Sequence, residues 1–115
     1  MKAWTPPTPA EIEHAVQEMV RRIVAGFGPE RIILFGSQAR GDAGPDSDID
    51  LLVVMETHSK RDAAVRIGVA LHAMGIPKDV IVITPDEFER RKDVVGTVAY
   101  PAHHEGRILY ERPKP

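Results

Sequence analysis

Apolar residues recur at helical spacing through Ile12, Ala15, Val16, Met19, Val20, Ile23 and Val24, which defines one stripe on a long amphipathic helix. Its start is marked by Thr8 as a cap, Pro9 at the first helical position and Glu11 completing a Thr-x-x-Glu capping box. Gly26, Gly28 and Pro29 end it. The pattern then changes period. Arg31 to Phe35 (RIILF) is short, apolar and β-branched, as a buried strand requires, and it runs into a Gly- and Asp-rich loop from Gly36 to Ser47. A second strand is predicted over Asp48 to Val54, its far end a continuous apolar run. Helical spacing returns from Ser59 to Met74 through Ala63, Ala64, Ile67, Ala70 and Leu71, with Gly75 closing the element. Lys78 to Thr84 (KDVIVIT) reads as a third strand, and Thr84-Pro85-Asp86-Glu87 opens another helix by the same capping logic as the first. In the tail, Pro101 is expected to break or kink whatever runs through Val94 to Glu105, and Ile108 to Tyr110 forms a closing edge strand. This order defines an α/β (α+β) domain, a small mixed sheet of about four strands with helices packed on it.

Composition narrows the classes. A chain of 115 residues, 43% hydrophobic and 28% charged, is expected to make one globular domain over residues 8–115, preceded by a flexible arm over residues 1–7 that holds a Pro-Pro pair. Cysteine is absent, so neither a disulfide nor a thiolate zinc site supports the fold. No apolar run approaches the ~20 residues that span a bilayer, and the N-terminus lacks a signal-peptide pattern, so no membrane partner and a cytoplasmic setting are expected. With a formal net charge of −2, no global positive field attracts nucleic acid, and general nucleic-acid binding is not expected.

The candidate chemistry lies in acids at strand starts. Asp48 and Asp50 are two apart on one strand, so both side chains share a face with Cα atoms roughly 7 Å apart. The helix between strands two and three is a crossover, which makes those strands parallel and brings Asp79 level with Asp48 and Asp50. Strand one ends at Phe35, and the loop need only double back for Gly36 and Ser37 to reach the same edge. Clustered carboxylates raise one another's pKa unless a cation compensates them, and magnesium is the hard ion that suits few carboxylates plus substrate phosphates. Gly36 permits close backbone approach, and the Ser37 hydroxyl with nearby amides can donate to phosphate oxygens. Arg40 either neutralises a triphosphate or pairs with an acidic neighbour.

Other polar groups read as ordinary surface. Asp42, Asp46 and Ser47 suit loops and turns. His103 and His104 are adjacent, so they are expected to point in different directions, and no further metal-ligand residue is spaced around them; surface or partner contact is the expected role. Arg90, Arg91 and Lys92 form a solvated helix face, and Tyr100 and Tyr110 pack against the sheet.

The runs Gly36-Ser37-Gln38-Ala39-Arg40-Gly41-Asp42 and Ser47-Asp48-Ile49-Asp50-Leu51-Leu52-Val53 resemble the GSxARG…SDxDLxV signature of the minimal nucleotidyltransferase family, within the DNA polymerase β-like superfamily. The closing Glu105-Gly106…Leu109-Tyr110 pattern is similar as well. The resemblance implies that Gly36 and Ser37 bind nucleotide phosphates, that Asp48 and Asp50 ligate Mg2+, two ions in the expected case, and that Asp79 is the third carboxylate, helping to activate an attacking hydroxyl. The implied reaction moves an NMP, with AMP from ATP the leading case, to a hydroxyl acceptor. Members of this family work beside small helical HEPN proteins as antitoxins, and some add AMP to a tyrosine of the toxin. An adenylyltransferase antitoxin acting on a HEPN-type partner is therefore the sharpest expectation. The alternative is a non-catalytic nucleotide-binding module that neutralises its partner by contact. A free-standing enzyme for small hydroxyl compounds such as aminoglycosides needs a walled acceptor pocket, which homo-oligomerisation would have to provide.

Overall fold

The structure, a computed structural model, describes residues 5–44 and 47–114. Met1 to Trp4 of the expected arm, Asp46 among the expected turn formers, and Pro115 lie outside the described residues.

Helix α1 spans Pro9–Phe27 and begins as its sequence dictates: the Thr8 hydroxyl accepts from the Glu11 amide at 3.1 Å, and the Glu11 carboxylate accepts from the Thr8 amide at 3.2 Å. Gly28 ends it in the left-handed conformation (φ 56°, ψ 51°), the geometry for which glycine carries no Cβ penalty. Strand β1 (Arg31–Phe35) leads into a single short helical turn, α2 (Ser37–Arg40), and then strand β2 (Ile49–Val54). Helix α3 (Lys60–Ala70) is capped by the Ser59 side chain and continues as a 3-10 turn over His72–Met74, so the expected helix changes pitch near its end. Strand β3 (Lys78–Ile83) precedes helix α4 (Pro85–Arg91), capped by Thr84. Helix α5 (Ala99–Glu105) and strand β4 (Arg107–Glu111) complete the described order.

No helix runs unbroken through Val94 to Glu105: the chain is irregular up to Val98, and α5 begins two residues before Pro101. Pro101 is the third residue of α5, within the first turn, where a backbone N–H has no intrahelical acceptor and its loss costs nothing.

The strands form one sheet in the order β3-β2-β1-β4. Strand β1 is antiparallel to β2 and β4, whereas β2 and β3 are parallel, as the α3 crossover requires. Alternation along the strands divides the core between two faces. Ile32, Leu34, Leu51 and Val53 pack with Val16, Met19 and Ile23 of α1 and Ile67 of α3. Ile33, Leu52, Val54 and Ile83 pack with Phe88 of α4 and with Ala99 and Ala102 of α5. Each fully buried Leu, Ile or Phe contributes about 1.5–3 kcal/mol through removal from water. Both faces are thus covered, and the open part of the sheet is the edge where β1 ends and β2 and β3 begin.

Candidate active site

Strand register assembles that edge. Phe35, the last residue of β1, is the partner of Asp50, and Asp50 is the partner of Asp79 across the parallel β2–β3 pair. Partnered residues share a face, so the Asp50 and Asp79 side chains lie on the same side of the sheet as Phe35, the side that α4 and α5 cover further along. Asp48 sits one residue before β2 begins, exposed like Asp79, and Asp50 is half-buried.

Gly36 follows Phe35 directly and adopts φ 73°, ψ −158°, a backbone region that is nearly glycine-specific. A Cβ built there would overlap the Asp50 carboxylate. Two independent constraints therefore select glycine, backbone conformation and close approach to the acid. The Gly36 carbonyl accepts from the Ala39 and Arg40 amides, each at 3.1 Å, which closes α2 as a tight turn beside Asp50. The first-turn amides of such a turn have no intrahelical acceptors. Ser37 opens α2 and is partly buried.

Arg40, at the end of α2, makes ion pairs to Asp42 (3.2 Å) and Glu105 of α5 (3.6 Å). It pairs structurally with acidic neighbours while remaining close enough to Asp50 to favour its ionised form. The net field at Asp50 still runs the other way. Burial, followed by the charges of Asp79 and Asp48, holds its carboxyl above the ordinary value. An all-oxygen donor set in which one carboxylate resists ionisation is the environment a hard divalent cation relieves, and the donors fit magnesium on those grounds.

Room in the molecule is distributed differently. A cavity of about 480 Å³ lies against α1 and α2, lined by Pro6, Ile12, Leu34, Gln38 and Arg107 among others, and one of about 700 Å³ lies between α1 and Met74–Pro77. None of Asp48, Asp50 or Asp79 lines either cavity. Asp48 and Asp79 are exposed to solvent, whereas Asp50 is half-buried between them.

Among the described residues, the set of three metal-capable side chains with ligand atoms within 4.8 Å of one another is not the strand acids but Asp93, His103 and His104. The two histidines do not diverge as adjacency suggests: their rings stand 4.9 Å apart, and the irregular α4–α5 connection brings Asp93 alongside. No sequence period marks that connection, so the third member carries no signal along the chain. Arg90, Arg91 and Lys92 form a solvated face, each paired with an acid of its own helix, Asp86, Glu87 and Glu89. Tyr110 packs against the core as expected, and Tyr100 lies against the His104 ring.

A small mixed sheet, with a glycine-serine turn closing on the carboxylate of β2 beside the acid of parallel β3, has the architecture of a nucleotidyltransferase fold. The model of the nucleotidyltransferase domain family matches residues 12–113, and the chain belongs to that family. Comparison with curated proteins gave no match. Among solved structures, a candidate nucleotidyltransferase from Sulfolobus solfataricus is similar with a TM-score of 0.62 at 21% identity, over 96% of this chain and 94% of that one. A mutant of the toxin–antitoxin complex MntA–HpeT is similar with a TM-score of 0.52 at 16% identity, over 92% of this chain and 75% of that one. At these identities the likeness is one of fold.

Proposed function

We propose that this chain is a magnesium-dependent nucleotidyltransferase that moves AMP from ATP to a hydroxyl of a small helical HEPN-type protein, as the antitoxin of a toxin–antitoxin pair in the cytoplasm. The observation that carries the chemistry is the register Phe35–Asp50–Asp79, with Gly36 folded against the Asp50 carboxylate. Support for the partner comes from the shared fold with the MntA–HpeT complex and from the exposure of Asp48 and Asp79, which an acceptor on another molecule could reach.

In this reading Asp48 and Asp50 hold the metal, with Asp79 as the third carboxylate. When bound, magnesium supplies charge stabilisation to the phosphate oxygens. The Ser37 hydroxyl and the first amides of α2 donate to the phosphates, and Gly36 lets them approach. Arg40, anchored by Asp42 and Glu105, adds positive charge at the rim. Asp79 accepts the proton of the acceptor hydroxyl as its oxygen attacks the α-phosphorus in line. The bond to pyrophosphate breaks as the new O–P bond forms, so positioning and charge stabilisation do most of the work.

The test uses the purified chain, α-labelled ATP, Mg2+ and a co-purifying or genetically adjacent helical partner. Label is expected on the partner and is lost with Asp48→Asn. Full neutralisation of the partner by Asp48→Asn, with no label transferred by either protein, would replace the enzyme by a contact-only module.

A further inference from the structure

We propose that Asp93, His103 and His104 form a binding site for a borderline-soft divalent ion of the zinc class, separate from the strand carboxylates and set on the layer formed by α4 and α5. The donors are two imidazoles and one carboxylate, a nitrogen-rich set that favours zinc-like ions over magnesium. The strand acids offer oxygen alone. The two sites therefore differ in the ion they select.

Geometry supports the assignment. The Asp93 Oδ1 and His104 Nε2 atoms are already 2.9 Å apart, sharing a hydrogen bond whose proton a metal ion would replace. Ligands of a tetrahedral zinc ion stand about 3.3 Å from one another at ordinary Zn–N and Zn–O lengths. The ligand atoms lie within 4.8 Å here, so closing the set takes side-chain rotations of exposed groups with no backbone rearrangement. Both rings are braced by aromatic neighbours. Tyr100 lies against His104 with centroids 4.3 Å apart, and Phe88 of α4 meets His103 edge-on at 6.0 Å. Bracing lowers the entropy lost on ligation. Three protein donors leave a fourth position for water or for a group from another molecule.

Such an ion would tie the α4–α5 connection, through Asp93, to the last turn of α5. Glu105, the next residue after His104, pairs with Arg40 beside the strand carboxylates, so the clamp ends one residue from the rim of the candidate active site.

The test is calorimetric titration of the tag-free full chain with Zn2+, together with visible absorption of the Co2+ form, which reports tetrahedral coordination. One equivalent of Zn2+ is expected to bind and to raise the unfolding midpoint. Affinity is expected to fall by more than about tenfold in each of His103→Gln, His104→Gln and Asp93→Asn, and to persist in Asp50→Asn and in excess Mg2+. All three substituted positions are exposed, so circular dichroism should show intact folds. If Zn2+ binding survives the three variants, it belongs to other groups, such as His14, His58 or His72, and the assignment falls. It falls equally if binding disappears in Asp50→Asn, or if the unaltered chain binds no Zn2+.

Discussion

At the residue scale, Asp50 carries the conflict between stability and chemistry. Burial and the neighbouring acids hold its carboxyl above the ordinary value, so in the ion-free fold its ionisation is unfavourable. A raised folded-state pKa means the destabilisation is present when pH exceeds that pKa and disappears as pH falls towards the unfolded value near 4. Asp50→Asn is therefore expected to raise the thermal midpoint of the ion-free protein near neutral pH, with an advantage that shrinks towards about pH 4. In the proposed reaction the same change should cut nucleotidyl transfer by at least about a hundredfold and remove the rise in thermal midpoint expected on adding Mg2+ to the unaltered protein. Thermal unfolding at several pH values, with and without Mg2+, measures both. At Gly36, alanine would require a nearly glycine-only conformation and would overlap the Asp50 carboxylate. Gly36→Ala is expected to cost about 1–3 kcal/mol in denaturant unfolding and, on the proposed function, to weaken ATP binding at least about tenfold.

At the scale of elements, most of the fold was legible because local chemistry and hydrophobic period agree. The Thr8–Glu11 box, the Thr84 cap and the short apolar, β-branched run RIILF specify their elements without tertiary help. The acid register was also readable, since a crossover helix between two strands constrains their direction and hence the level of Asp79 beside Asp50. Helix α5 was not. Pro101 signals a break, yet its position in the first turn removes the conflict, and only the boundary at Val98 distinguishes the two cases. The approach of Asp93 to His104 was also hidden, because it depends on the path of an aperiodic connection. Gly106 gives an element-scale prediction. Its φ of −77° is ordinary for any residue, but a Cβ there would overlap the Ala102 carbonyl and the Ile33 side chain. Gly106→Ala is expected to destabilise by about 1–3 kcal/mol through forced separation of α5 from β1. Pro101→Ala, by contrast, should change stability by less than about 1 kcal/mol. Parallel denaturant titrations of the two variants separate crowding from backbone conformation.

For the whole molecule, charge is balanced locally as well as in sum. The formal net charge is −2, and the basic run on α4 is paired with acids of the same helix. Duplex DNA or RNA should show no mobility shift with micromolar protein at physiological salt, since few phosphates could be neutralised. A shift under those conditions would redirect attention to a nucleic-acid acceptor.

The pairing of Asp50 with Asp79 joins positions far apart along the chain, with α3 between them. The candidate centre is therefore completed in two stages: a ribosome that has released only β1 and β2 has made Asp48, Asp50 and the Gly36 turn beside them, but not the partner carboxylate of Asp79. Competence should appear together with docking of the third strand, late and cooperatively, because long-range parallel pairing is a slow contact to form. Amide exchange at Leu51, whose N–H lies on the β3 side of β2, would then report whether the third strand is docked, and in the proposed reaction a mutation that loosens β3 should silence transfer before it unfolds the remainder.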